Sequence, residues 1–403
     1  MNNSERFVQE LCGKTFLSLW SVANPQGKEQ GKELCDVLVV CDPDVVIFSV
    51  KHVSYRETPD VTTGMDRWTS RAIEASAKQI YGAERILDQM GVVKAPDGTE
   101  LLKVPPSERR RVHRIAVAFG SQGEISIADG DLGRGFVHVL TESGVWLLLR
   151  ELDTITDFVE YLSKTEAYLE KTQVISMGVE NQLGLYLQNG RKYPEDATLL
   201  IIEDDIWAGV SAREEYQRKK QADEVSYVWD RLIEHLVREH DPELTQESPS
   251  ADEESNPAVE RVTRIMAREN RFSRRLLARS FKEFHVDDTI RSRIVKSPSG
   301  TVYVFLSRPR GVDRRLRNKE LLTRMFIARG TIEGAKTVVG LSTEDYQEGA
   351  AWSIDAAVLR KDRWTPEDQA QMEEIQRNTG AFESPRWTES DEDEYPKAGT
   401  AHN

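Results

Sequence analysis

Asp36 and Lys51 are the two residues of this chain best placed to do chemistry together, with Ser49 beside them. Fourteen residues separate them: an apolar run to Cys41, a turn at Asp42-Pro43-Asp44, and a second apolar run from Val45. Folded as a tight hairpin, the two runs lie about 5 Å apart, so a carboxylate and an ammonium on one side of the sheet can face the same phosphate. A carboxylate holds Mg²⁺ (or Mn²⁺) with water positions left open, and a nearby cation orients the attacking water and offsets charge on the phosphorus centre. The pair therefore predicts metal-dependent cleavage of a phosphodiester, with Asp36 as the main metal ligand and Lys51 positioning the water.

Several elements must hold that pair. Residues 4–20 read as a helix capped by Ser4, with Phe7, Leu11, Cys12, Thr15, Phe16 and Leu19 at helical spacing. Leu34–Cys41 and Val45–Lys51 are rich in Val and Ile and too short for helices. Arg67–Met90 is predicted as a long helix ended by Gly91, with Ile73, Ala77, Ile80, Tyr81, Ala83 and Leu87 on its apolar side. A polar loop, Ala95–Arg111, leads to strands at Val112–Phe119 and Gly135–Thr141, and Val145–Lys171 reads as helical. The order is αββαββα, an α/β sandwich over residues 1–175, followed by smaller α/β domains.

With these residues in view, the first 90 or so resemble the PD-(D/E)XK, or restriction-endonuclease-like, superfamily, and within it the Mrr and Holliday-junction-resolvase branch. The resemblance implies a glutamate on the first helix that shares the metal, a place taken here by Glu5 with Glu10 in reserve. It implies a further metal contact from the Val50 backbone carbonyl, and a helical glutamine, Gln79, that assists at the phosphate. The expected acid-x-Lys tripeptide is here Ser49-Val50-Lys51, with a hydroxyl where a second carboxylate is usual. Glu33, Asp44 and Glu74 are the nearby acids that could supply it. Two functions follow: a nuclease acting on DNA more readily than RNA, in genome defence or repair, or a degenerate relative that binds nucleic acid or a partner without cleaving.

The rest of the chain bears on partners. At 403 residues the chain suits two or three domains, and an apolar fraction of 39% is enough to build them; beyond the first we place them at 176–240 and 258–380. No long apolar run or basic, apolar leader is present, which predicts a cytoplasmic protein without membrane contact. Cys12, Cys35 and Cys41 form no C-x-x-C pair and read as reduced core thiols. No Walker-type phosphate loop is present, so no built-in ATPase is expected, and a homo-oligomer is open. Glu203-Asp204-Asp205, after an apolar run, could hold a metal or simply begin a helix.

The net charge of −14 hides an asymmetry: residues 151–259 carry −15, whereas 260–330 carry +12. Within the basic block, Arg264, Arg268, Arg271 and Arg275 recur at helical spacing, and Arg314 and Arg315 follow. These are the candidate nucleic-acid contacts, with pairing to the acidic middle segment as the competing use. Residues 241–257 read as a disordered acidic linker and 381–403 as a disordered acidic tail.

Overall fold

The computed structural model describes residues 2–29, 31–56, 59–121, 129–176, 178–195, 197–239, 258–286, 291–345, 353–383 and 392–396. The chain divides into two compact units, Met1–Gln217 and Arg218–Asn403, each of mixed α/β class. The expected linker, 241–257, lies outside the described residues. Among the described residues no helix is long and apolar enough to cross a membrane.

The first unit opens with helix α1 (Asn3–Phe16), whose cap is Asn2 rather than Ser4. Asn2 Oδ1 accepts from Glu5 N at 3.0 Å and the Glu5 carboxylate returns the contact, forming a capping box. Ser4 is thereby turned inward, with Val8, Cys12, Thr15 and Phe16 on the buried stripe. Strands β1 (Ser21–Ala23), β2 (Val37–Cys41) and β3 (Asp44–His52) come next; β1 falls in a stretch whose polarity hid it.

The predicted long helix is in fact three segments: α2 (Val61–Thr69), a π-helical turn (Ser70–Glu74) and α3 (Ala75–Leu87). A small hairpin, β4 (Val92–Lys94) and β5 (Glu100–Lys103), occupies part of the expected polar loop. Then follow β6 (Arg111–Phe119), β7 (Gly130–Asp131), β8 (Phe136–Thr141), α4 (Glu142–Glu151) and α5 (Ile155–Leu169). The last two helices are parted where Thr154 starts a new one, its hydroxyl accepting from Asp157 N at 3.1 Å.

The six strands are ordered β1-β2-β3-β6-β8-β7, with β3, β6 and β8 mutually parallel and the other pairs antiparallel. Val37–Cys41 and Val45–Val50 are buried throughout, as expected of central strands covered by helices on both faces. Beyond them lie β9 (Gln173–Ile175), α6 (Val179–Gln188), β10 (Leu199–Ile201), α7 (Ile206–Ser211) and α8 (Glu214–Asp223), with β9 and β10 paired in parallel.

The second unit contains α9 (Tyr227–Arg238), α10 (Ala258–Ala267), α11 (Arg271–Val286), β11 (Ser292–Lys296), β12 (Val302–Arg308), α12 (Arg314–Thr331), β13 (Thr337–Glu344), β14 (Ile354–Arg360) and α13 (Pro366–Thr379). Its sheet runs β11-β12-β13-β14, with only β12 and β13 parallel. Val302, Val304, Leu306, Leu321, Met325 and Val338 form its core. The span expected as a separate domain, 176–240, is shared between the units. Its last helix belongs to the second because Trp229 is fully buried there, edge-on to Tyr303 at 5.2 Å.

Candidate active site at the open end of the hairpin

Asp36 immediately precedes β2, and the pairing of Val37 with Phe48 sets it across from Ser49. Side chains alternate along a strand, so Ser49 and Lys51 share one face and Val50 and His52 the other. The contacts agree: Ser49 Oγ donates to Gln79 Oε1 of α3 at 3.0 Å, whereas His52 Nδ1 hydrogen-bonds Ser4 Oγ of α1 at 3.0 Å. Helices α1 and α3 therefore cover opposite faces, and Asp36, Ser49, Lys51 and Gln79 converge on the α3 side.

Asp36 is pinned from two directions. Its backbone carbonyl accepts from Asn24 N at 2.9 Å, and its Oδ2 accepts from Val50 N at 2.6 Å. The side chain thus takes the place of a further β2 residue on the edge of β3. A strand residue's N–H and C=O share an edge, so the Val50 carbonyl faces the same side as this carboxylate. Burial pushes the Asp36 carboxyl above the ordinary aspartate range and Glu5 adds to the push; Val50 N–H, Lys51 and Gln79 oppose it. Lys51 is half-buried, and among the described residues no side-chain hydrogen bond or ion pair occupies its ammonium.

The end of β3 is held firmly. Val53 N donates to Phe119 O at 3.1 Å, Tyr55 N to Gly120 O at 2.9 Å, and Trp68 Nε1 of α2 to Val53 O at 2.6 Å. Gly120 adopts φ +85°, and a Cβ there would sit 2.7 Å from Val53 O, so only glycine allows this approach. Helix α3 is fixed in turn by the two-pronged Arg114–Glu84 pair at 2.7 and 2.6 Å and by Tyr81 OH donating to Gly135 O at 2.7 Å.

The oxygen donors suit a hard divalent cation: the second oxygen of Asp36, the Val50 carbonyl and Glu5. Glu5 lies close enough to act on Asp36 electrostatically, although its carboxylate also accepts from Asn2 N at 2.8 Å and Asn2 Nδ2 at 2.6 Å. Among the described residues no three Asp, Glu, His or Cys side chains converge on one point. The reserve acids do not complete the set. Glu10 is exposed, Glu33 accepts from Asn24 Nδ2 at 3.1 Å, and Glu74 accepts from Ser70 Oγ at 2.9 Å. Asp44 sits at the far end of the hairpin, paired with Arg111 at 2.8 Å and His113 at 3.1 Å. Glu203, Asp204 and Asp205 are exposed turn residues before α7.

The arginine surface needs correction. Arg271 and Arg275 are buried, not solvent-facing: Arg271 and Arg274 both bind Asp230, at 2.9 and 2.6 Å, and Arg275 reaches Asp223 at 3.2 Å. Arg264 pairs with Glu260 at 3.7 Å and Arg314 with Asp355. Asp230 and Asp223 belong to the acidic middle segment, so that competing use takes up Arg271 and part of Arg275, because a buried guanidinium requires an internal carboxylate; Glu260 and Asp355 lie outside that segment. Arg315 is exposed and Arg268 half-buried.

Asn24 and Ser4 were not recognisable as site-holding residues. Asn24 has a φ of +44°, a conformation asparagine tolerates, but a single Asn in a polar stretch carries no such signal. Comparison with models of protein families finds no match to this chain, and neither does comparison with curated proteins.

Proposed function

We propose that the first unit is a metal-dependent nuclease of restriction-endonuclease-like type, cleaving nucleic-acid phosphodiesters with Mg²⁺ or Mn²⁺. The observation that carries this reading is the convergence of Asp36, Lys51 and Gln79 at one strand end, with the Asp36 carboxylate bound to Val50 N–H and Glu5 nearby. The order helix, hairpin, helix and parallel strand also supports it. DNA is the favoured substrate, and defence or repair the setting, on the resemblance alone.

Asp36, the Val50 carbonyl and Glu5 would hold the cation, which supplies Lewis-acid polarisation of a phosphate oxygen and of water. Lys51 places its ammonium against the scissile phosphate, orients the water and offsets the charge that builds in the transition state. Gln79, whose Oε1 accepts from Ser49, presents its amide N–H₂ toward Asp36 and donates to a phosphate oxygen there.

Ser49 favours a second reading. Its hydroxyl stands where a carboxylate would complete the metal set, which suits a protein that holds nucleic acid without cutting it. Incubation with plasmid, linear duplex and single-stranded DNA and RNA, in Mg²⁺ or Mn²⁺, decides between them. Cleavage lost in Lys51→Ala and Asp36→Ala is the expected result; retention of nucleic acid without cleavage under either metal refutes the enzyme.

A further inference from the structure

The acidic C-terminal residues expected to be disordered include a docked segment. Glu392–Pro396 lies in a cationic groove of the second unit, formed by Arg218 and Lys219 of α8 and by Arg275 and Arg279 of α11. Arg275 donates to the carbonyls of Asp393 at 2.7 Å and Glu394 at 3.2 and 3.3 Å, and its Nε lies 3.5 Å from the Glu392 carboxylate. Arg279 also binds Glu392, Lys219 lies 3.8 Å from Glu394, and Arg218 Nε donates to Pro396 O at 3.1 Å. Four cations thus meet one short stretch that lies outside any helix or strand. Tyr395 adds its ring, 6.0 Å from the Lys219 ammonium.

We propose that this groove is a phosphate-backbone site and that the tail covers it as an internal competitor. The argument is one of charge spacing and of bond type. Consecutive acids place one negative charge per residue, no more than about 3.6 Å apart along the chain, while each strand of nucleic acid carries one per about 3.4 Å of axis. The arginines take oxygen acceptors in series, carbonyl or carboxylate alike, and such a row is what a sugar-phosphate backbone also offers. A segment held by charge is weakened by salt and is displaceable by a longer polyanion. An acidic peptide would fit the same cations, and the acids of this chain's own tail already fill that role. The proposal rests on the nucleic-acid reading above and deepens it by placing a contact outside the cleavage site.

The test uses the full chain carrying Lys51→Ala, in EDTA, so that binding is read whether or not the protein cuts. A fluorescent single-stranded or duplex oligonucleotide is titrated in about 50 mM salt, with and without Glu392→Gln, Asp393→Asn and Glu394→Gln together. A tail engaged nine-tenths of the time weakens the apparent affinity about tenfold, so neutralising it should tighten binding about tenfold. Arg279→Gln and Arg218→Gln should remove that gain, and circular dichroism confirms each variant's fold. An unchanged Kd in the folded tail variant overturns the proposal, as does a gain that survives loss of both arginines. Dimers that dissociate when the tail is neutralised also overturn it, since a second copy's tail would then be the occupant. Failure of the unsubstituted chain to cleave with metal, together with a tail-dependent gain in binding, would refute the nuclease and leave this site standing.

Discussion

Replacing Asp36 by alanine and by asparagine separates a poised catalytic carboxylate from a structural one. Alanine leaves the Val50 N–H, 2.6 Å from Asp36 Oδ2 in the folded protein, without its acceptor at a buried position. Such an orphaned donor costs about 1–3 kcal/mol, and for a unit of this size each kcal/mol lowers Tm by about 2–4 °C. Asparagine keeps an acceptor oxygen and removes the charge. Because the folded protein raises the Asp36 pKa, it binds the proton more tightly than the unfolded chain. Stability therefore falls as pH rises from the unfolded value through the folded one. Asparagine escapes that loss, so Asp36→Asn should match or exceed the parent Tm at pH 7.5, with the advantage vanishing on acidification through this window. Both variants should lose cleavage. Differential scanning calorimetry of the full chain across pH, beside a plasmid-nicking assay, reads all of this. An asparagine variant as unstable at pH 7.5 as the alanine one would refute the reasoning, for the carboxylate would then be a stabilising ion-pair partner of Lys51.

The remaining expectations concern other parts of the two units. Lys51→Ala should reduce cleavage by about 10²–10³-fold, the scale of losing one transition-state donor, with Tm unchanged; a parallel fall in Tm would mark the lysine as structural. Ser49→Asp should tighten Mn²⁺ binding about tenfold or more, since carboxylate count tunes affinity for hard cations, while lowering Tm in the absence of metal; calorimetric titration checks it, and unchanged affinity removes Ser49 from the metal set. In the second unit, burial pushes the Asp230 carboxyl up, but Arg274 and Arg271 outweigh it and hold it below the usual range. That stability is present above the unfolded pKa and lost as pH falls through the folded one. Arg274→Met leaves Asp230 its second partner, Arg271, and should cost this unit less than the about 3–5 kcal/mol of a stranded buried charge, whereas Arg271→Met and Arg274→Met together should reach that range; denaturant titration followed by tryptophan fluorescence measures both.

The hairpin was legible because its two runs are apolar and rich in Val and Ile around a Pro-containing turn, and both faces are buried; composition and burial there carry the same message. Strand alternation alone puts Ser49 and Lys51 on one face, whereas Asp36 joins them only through the register of β2 on β3. Less was legible where a helix changes course. Apolar spacing from Ile73 to Leu87 is continuous, so nothing in it marks the widened turn or the earlier start at Val61. The basic block misled for a related reason: arginine spacing along a helix is the same whether the guanidinium meets solvent or a carboxylate distant in sequence. Asp230 and Asp223 lie 44 and 52 residues from their partners Arg274 and Arg275, beyond any local pattern.

The π-helical turn at Ser70–Glu74 has a bearing on how relatives of this chain would be recognised. Trp68 is tied to the end of β3 and Tyr81 to the loop before β8, so both flanks are anchored and the surplus residue is absorbed as a local bulge instead of rotating Gln79 out of reach. A homologue with an uninterrupted α-helix would count one residue fewer between those anchors. Aligning it with this chain then demands a single-residue gap in mid-helix, where alignment methods penalise gaps most heavily.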